Sequence, residues 1–263
     1  MFITRLISGI VLILIIGGAL YKGGIILAVL LALLSVAGMR EYYKAVGIAG
    51  KPLSLMEVTA YVCAVGYMGL LFTERQSLLL PGVGVGLIIL MAVYVLTYPE
   101  YRHLKVTASL FPLIYVAVML GFIYLIRCRF RGNIEVWLVF LSSWGADTCA
   151  YCVGRLFGRH KMSPRLSPNK SVEGAVGGVA GAAILGAVFA AVFRQPVIIY
   201  AAICAVTAVI SIFGDLAASA IKREAEIKDY SHLIPGHGGI LDRFDSVLFT
   251  APVIYLCCEL FLM

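Results

Sequence analysis

Asp215 interrupts an apolar run, and Ser219, Lys222 and Arg223 follow it at helical spacing. Positions i, i+4, i+7 and i+8 share one helix face, so a carboxylate, a hydroxyl and two cations project together. An ionised carboxylate is costly in apolar surroundings and needs a cation or a basic partner. Pairing Asp215 with Lys222 or Arg223 merely to join helices would meet that need, and so would a site for a divalent cation. The residues that follow favour the second. Pro235-Gly236-His237-Gly238-Gly239 must turn, because a proline and three glycines cannot continue a helix. Glycines there let backbone N–H groups approach phosphate oxygens. Asp242, Arg243 and Asp245 then open the last helix, whose N-terminal dipole favours anions. Carboxylates for a hard cation, Lys and Arg for phosphates, and a glycine-rich anion nest equip a short stretch for transfer at phosphorus. In that chemistry positioning and charge neutralisation do most of the work.

The elements that position these residues follow from composition. Hydrophobic residues make up 62% of the 263 and charged ones 13%, against about 45–50% and 25% in soluble domains. A water-soluble fold could not hide that much apolar surface. The fold class is therefore all-α, a polytopic transmembrane helix bundle of about nine spans, each needing about 20 apolar residues. Apolar runs place them near Ile3–Leu20, Gly23–Met39, Val58–Phe72, Ser77–Tyr98, Thr107–Ile126, Ile134–Phe157, Gly174–Phe193, Val197–Ile221 and Phe244–Leu262. Residues 1–133 supply the first five and residues 134–263 a catalytic region of four, with active-site loops at 155–173 and 222–243. The third run is short, so that span is tilted or partly interfacial. Tyr21-Lys22-Gly23 leaves room only for a tight hairpin. Arg5 precedes an apolar stretch as in a signal peptide, but no small-x-small cleavage site follows, which predicts an uncleaved first helix.

The 21 Lys and Arg residues divide unequally, 15 on the side of the N-terminus and even-numbered loops and 6 on the other. The positive-inside rule puts the N-terminus in the cytoplasm. Arg127, Arg129 and Arg131 fit worst, three cations in an outside loop, and make a miscounted helix nearby the expected error. The net charge of +7 sits in short loops between spans, which suits anionic lipid rather than nucleic acid. Cys149 and Cys152 spell C-x-x-C, but no second pair and no thioredoxin-like pattern accompany them. Gly177 and Gly181 are a small-xxx-small pair for close helix approach. Gly82, Gly84 and Gly86 lack the dinucleotide-loop spacing and lie in a span. Arg40-Glu41-Tyr42-Tyr43 reads as an interfacial anchor and helix cap.

Ser219 to Asp245, S-A-I-K-R-E-A-E-I-K-D-Y-S-H-L-I-P-G-H-G-G-I-L-D-R-F-D, resembles the signature of the phosphatidate cytidylyltransferases, or CDP-diacylglycerol synthases. All its fixed positions match, including Lys222, Arg223, Lys228, Asp229, His237, Gly238, Gly239, Asp242, Arg243 and Asp245. Ser167 to Gly174, S-P-N-K-S-V-E-G, is similar to a second family segment, with Asn169 in place of a lysine and Ser171 in place of a threonine. The resemblance implies transfer of cytidylyl from CTP to phosphatidic acid with release of pyrophosphate, assisted by Mg²⁺. It points to Asp215 and Asp242 as metal carboxylates, with room for a second cation near Asp147 or Asp245. Lys222, Arg223, Lys228, Arg243 and Lys170 are then phosphate ligands in an unassigned order. His237 is a phosphate donor or a structural residue of the loop, and Ser219 a cation ligand or a local cap. A homodimer is the family expectation, the chain's size suggests a bacterial inner membrane, and the charge count puts the active-site loops on the cytoplasmic side.

Three other classes of protein make different demands. A transporter with buried carboxylates should show inverted repeats, whereas the polar cluster lies only in the second half. A CDP-alcohol phosphotransferase should carry D-G-x-x-A-R, which is absent. A CTP-dependent lipid kinase would use the same nucleotide and metal but attack the γ-phosphorus.

Overall fold

The computed structural model describes residues 2–50, 52–73 and 75–262, with side chains from Ile7 onward. The side chains of Arg5 and Lys51, two of the cations in the charge count, lie outside the described residues. The chain is helical almost throughout. It runs α1 (Phe2–Lys22), α2 (Gly24–Ala45), α3 (Leu55–Phe72), α4 (Leu79–Leu96), α5 (His103–Arg127), α6 (Gly132–Phe157), α7 (Val172–Val192), α8 (Val197–Glu224) and α9 (Leu241–Phe261). Among the described residues eight helices are long and apolar enough to cross a membrane, and α1 adds a ninth apolar helix of 21 residues. The protein is a polytopic helical bundle, as its composition requires. The one sheet among the described residues is a hairpin, β1 (Lys161–Ser163) paired antiparallel with β2 (Ser167–Ser171), in the loop between α6 and α7.

Local chemistry explains where helices begin. Gly23 and Gly24 adopt φ of 66° and 52°, so α1 turns into α2 across a single residue. α3 starts three residues before its apolar run because Ser54 and Glu57 form a capping box. Ser54 Oγ accepts from Glu57 N at 3.3 Å, and Glu57 Oε1 accepts from Ser54 Oγ at 3.1 Å and Gly50 N at 2.8 Å. Two π-helical turns interrupt the regular ladder. One, Leu113–Val118, follows Pro112, whose ring removes a backbone donor. The other, Leu141–Gly145, contains Ser142 and Ser143, which hydrogen-bond back to Leu138 O and Val139 O at 2.7 and 2.6 Å.

The chain forms two compact units, Met1–Leu125 with Ile227–Asp242, and Ile126–Glu226 with Arg243–Met263. In the first, α3 packs against α2, α4 and α5. In the second, α7 packs against α6 and α8 along a stripe of Gly174, Gly178, Ala182, Gly186 and Ala190. A Cβ at Gly177 or Gly181 would fall 2.5 Å from Val153 Cβ or Cys149 Cβ. These glycines admit α6 against α7, as their spacing predicts, and Cys149 is a packing residue there. The loop at 128–131 holds no missed helix. Arg129 Nε donates to Glu135 Oε2 at 2.8 Å, its guanidinium also pairs with Glu259, and Nη2 donates to Cys258 O at 2.9 Å near the end of α9. Arg131 donates to Gln195 Oε1 at 3.0 Å. These arginines have structural partners within their own unit.

Candidate functional site

The polar cluster of the second unit is built on four elements. α8 carries Asp215, Ser219, Lys222 and Arg223 on consecutive turns, and Ser219 Oγ donates to Asp215 Oδ1 at 3.3 Å. The cation paired with Asp215 is Lys170, delivered by β2. Both side chains are about a quarter exposed, 26% for Lys170 and 25% for Asp215. Arg223 turns instead to the hairpin, donating to Leu166 O at 3.3 Å. Beyond the Lys222 and Arg223 that helical spacing offers it, Asp215 thus gains a partner 45 positions upstream.

The hairpin is itself held. Ser171 caps α7 by accepting from Gly174 N at 3.1 Å. Glu173 accepts from Arg159 N and His160 N at 3.1 and 3.2 Å and pairs with His160 Nδ1 at 2.6 Å. Ser171 therefore does the capping work for which threonine also serves, and His160, without an evident partner in the sequence, has Glu173.

Two further carboxylates join Asp215. Asp147 follows the π-turn of α6 and accepts from Ser246 Oγ at 3.5 Å. Asp245, buried in α9, accepts from Ser246 N at 2.7 Å. Asp147, Asp215 and Asp245 lie within reach of one another's charge, and Lys170, Lys222 and Arg243 lie in the same field. Gly214 permits this arrangement, because a Cβ there would come within 2.7 Å of Asp245 O. Trp144 Nε1 donates to Arg243 O at 3.0 Å, while Arg243 Nε is buried without a hydrogen-bond partner. A buried cationic donor in that state suits an anionic acceptor.

In the first unit the glycine loop turns through Gly236 and Gly238, at φ 77° and 84°. Ile234 N donates to Gly238 O and His237 N to Ile234 O, both at 2.9 Å. Asp242 Oδ2 accepts from Tyr230 N at 2.8 Å and Gly239 N at 2.9 Å, so this carboxylate ties both sides of the loop. Glu41 reaches in from α2. It accepts from Ile240 N at 2.9 Å, Leu241 N at 2.8 Å and Ser231 Oγ at 2.5 Å. Gly239 lacks the Cβ that would lie 2.5 Å from Glu41 Oε2. Within the glycine segment expected to form an anion nest, His237 N is thus given to Ile234 O and Gly239 N to Asp242, and the next two N–H groups, of Ile240 and Leu241, go to Glu41. His237 Nδ1 lies 2.7 Å from Ser8 Oγ, which also donates to Pro235 O at 3.0 Å. Lys228 and His232 are exposed, and Asp229 is half-buried.

Glu41 is the residue of this loop that its sequence does not disclose. It ends α2 in an ordinary interfacial string, and its partners lie about 200 positions away. Among the described residues no three His, Cys, Asp or Glu side chains are arranged to hold a metal alone. The oxygen donors of Asp147, Asp215 and Asp245 suit a hard cation, which binds through one or two carboxylates and completes its shell with water and substrate phosphates.

A family model described as the cytidylyltransferase family matches residues 3–261. The chain is 31% identical to the phosphatidate cytidylyltransferases of Staphylococcus saprophyticus and Staphylococcus epidermidis, over 95% of this chain and 96% of each relative. It is 28% identical to that of Staphylococcus aureus, with the same coverage.

Proposed function

The chain belongs to the cytidylyltransferase family, and from that premise we propose that it transfers cytidylyl from CTP to phosphatidic acid, forming CDP-diacylglycerol and pyrophosphate. The observation that carries this reading is the interleaving of Asp147, Asp215 and Asp245 with Lys170, Lys222 and Arg243 in and beside membrane-spanning helices. Three carboxylates in such surroundings are costly and suit a task that needs them. The names of the relatives supply the substrates.

Both substrates are polyanions, so their mutual repulsion is the main barrier to attack of the lipid phosphate on the α-phosphorus. Mg²⁺ would neutralise phosphate charge and orient the leaving pyrophosphate. Asp215 is the first candidate to hold it, with Asp147 or Asp245 beside it for a second cation, and the family resemblance adds Asp242. Lys170 already neutralises Asp215 and can transfer its attraction to a phosphate when a cation binds the carboxylate. Arg243, with its unpartnered Nε, and Lys222 suit further phosphate oxygens. Lys228 and Arg223 are exposed and suit recruitment of the nucleotide. His237 and Asp229 belong to the loop, where His237 is anchored through Ser8. No general base is required, because a phosphate monoester is already largely ionised at neutral pH. The enzyme works in a bacterial inner membrane with residues 155–173 and 222–243 facing the cytoplasm. Residues 134–263 carry most of the catalytic groups, and any homodimer forms without nucleic acid.

The test supplies purified protein in detergent with phosphatidic acid, Mg²⁺ and CTP labelled at either the α or the γ phosphate. Label from the α position is expected in lipid, and Asp215→Asn should lose at least about 100-fold in rate, as removal of a charge-stabilising group does. Label from the γ position would make the protein a lipid kinase. Full activity in Asp215→Asn would remove Asp215 from the mechanism.

A further inference from the structure

We propose that Trp144 and Ser246 are positioning residues for the transfer, a two-point clasp between α6 and α9 that sets Asp147 against Asp245 and Arg243. The inference rests on the cytidylyl-transfer reading above and adds two residues to which that reading gives no role. Trp144 lies in the π-turn Leu141–Gly145, three residues before Asp147, and Ser246 directly follows Asp245. Trp144 Nε1 donates to Arg243 O at 3.0 Å. Its indole also meets Phe140 of its own helix and Phe244 of α9 edge to face, with ring centroids 4.9 and 6.0 Å apart. Both helices therefore fix the ring. Ser246, buried in α9, works in the other direction: its Oγ reaches Asp147 Oδ2 at 3.5 Å, long for such a bond. Its backbone N donates to Asp245 Oδ1 at 2.7 Å. One residue thus touches two of the three clustered carboxylates.

Where these contacts end argues for positioning rather than simple helix joining. Asp147, Asp215 and Asp245 act on one another as like charges, and side chains in that state separate unless something anchored holds them. Lys170 holds Asp215 through an ion pair. Asp147 and Asp245 instead receive neutral donors from Ser246. A neutral donor orients a carboxylate and leaves its charge available to a cation. The indole acts on the basic side of the site, since it holds the main chain of Arg243 in the first turn of α9. A π-turn is rare in helices and frequent at functional sites. Here it carries the indole that reaches α9, and Asp147 follows it at once.

Ser246→Ala removes the hydroxyl, and Trp144→Phe keeps an aromatic ring while losing the N–H. With both substrates saturating, the Mg²⁺ concentration that gives half-maximal rate should rise about tenfold in Ser246→Ala, the scale on which partners of ligating carboxylates act. Trp144→Phe should lower kcat at least about tenfold, as small misplacements of reacting groups do, with thermal unfolding near that of the parent. A joint that merely holds helices together would lower the unfolding temperature and leave the Mg²⁺ dependence of the remaining activity unmoved. That result, or parent-like behaviour in both variants, would overturn the proposal. A second measurement needs no turnover. Trp137 and Trp144 are the chain's two tryptophans, so in Trp137→Phe the fluorescence reports on Trp144 alone. Mn²⁺ added without substrates should quench it, and adding Ser246→Ala should raise the Mn²⁺ needed for half quenching about tenfold. No quenching, or quenching indifferent to Ser246, would mean that the clasp does not serve a cation site. If the parent puts no cytidylyl into any lipid, the reading above fails, and the quenching still decides separately what the clasp positions.

Discussion

Glu41 shows how much one side chain can hold. Its carboxylate is buried, and it receives the first two backbone N–H groups around the start of α9 together with the Ser231 hydroxyl. Helix N-termini leave such donors without intrahelical partners, and an anion there also meets the positive end of the dipole. Glu41→Ala would strand these donors in a buried setting, at a cost of about 2 kcal/mol to the local structure. Hydrogen exchange read by mass spectrometry should show faster exchange at residues 239–241 and little change in α3. Glu41→Gln keeps one acceptor oxygen and should fall between the parent and Glu41→Ala. Unchanged protection at 239–241 in Glu41→Ala would show that the loop holds itself. Asp242 bears on the same question, because its Oδ2 is already engaged by Tyr230 N and Gly239 N. A carboxylate tied in this way shapes the loop, whatever else it binds.

At the scale of elements, close packing between α6 and α7 is set by glycines, and this makes a sharp prediction. A Cβ added at Gly181 would lie 2.5 Å from Cys149 Cβ, an atom fixed to its backbone that no rotamer change can move aside. Gly181→Ala should therefore destabilise the pair, while Gly181→Ala with Cys149→Gly should restore much of the loss. The coupling expected in thermal unfolding of the detergent-solubilised protein is about 1 kcal/mol. Additive losses would mean that the two helices can separate without cost. Such glycines were legible in the sequence because small-xxx-small spacing is local, as were the apolar runs of the nine helices and the shared face of Asp215 and Ser219. Helix ends were less legible. The start of α3 is fixed by the Ser54–Glu57 box, a local signal that lies outside the apolar run, and the π-turns have no reliable pattern at all. Least legible were contacts across long separations. Nothing near Asp215 specifies Lys170, nothing near Gly239 specifies Glu41, and nothing in the 128–131 loop specifies Glu259 as a partner of Arg129. Periodicity encodes which face of a helix is polar, but the identity of the group opposite depends on how helices assemble.

For the whole molecule the question is which way the bundle faces. Spans carry almost no information on this, because an apolar helix crosses equally well in either direction, so the loops decide. Of the 21 Lys and Arg residues, the side with the N-terminus holds 15. The three arginines at 127–131 oppose that bias, but Arg129 is drawn there by Glu135 and Glu259, and Arg131 by Gln195, so their position has a packing cause. The loops at 158–171 and 225–240 are separated by two spans, α7 and α8, and must therefore open on the same side. Under the proposed function the substrate CTP is a charged nucleotide that cannot cross the bilayer unaided, so loops that bind its phosphates would have to face the compartment that contains it. Both lines of argument predict a cytoplasmic position for those loops and the opposite face for Phe130, which is fully exposed in its loop. Phe130→Cys and the exposed position His232→Cys, each placed in a version of the protein lacking its seven native cysteines, turn this into a measurement. A membrane-impermeant maleimide should label Phe130→Cys in intact cells and His232→Cys only after the inner membrane is opened. The reverse pattern would invert the topology and, because the nucleotide is cytoplasmic, would also count against CTP as the substrate. Labelling of both in intact cells would mean an odd number of spans between α5 and α9 does not hold, and the helix count itself would have to change.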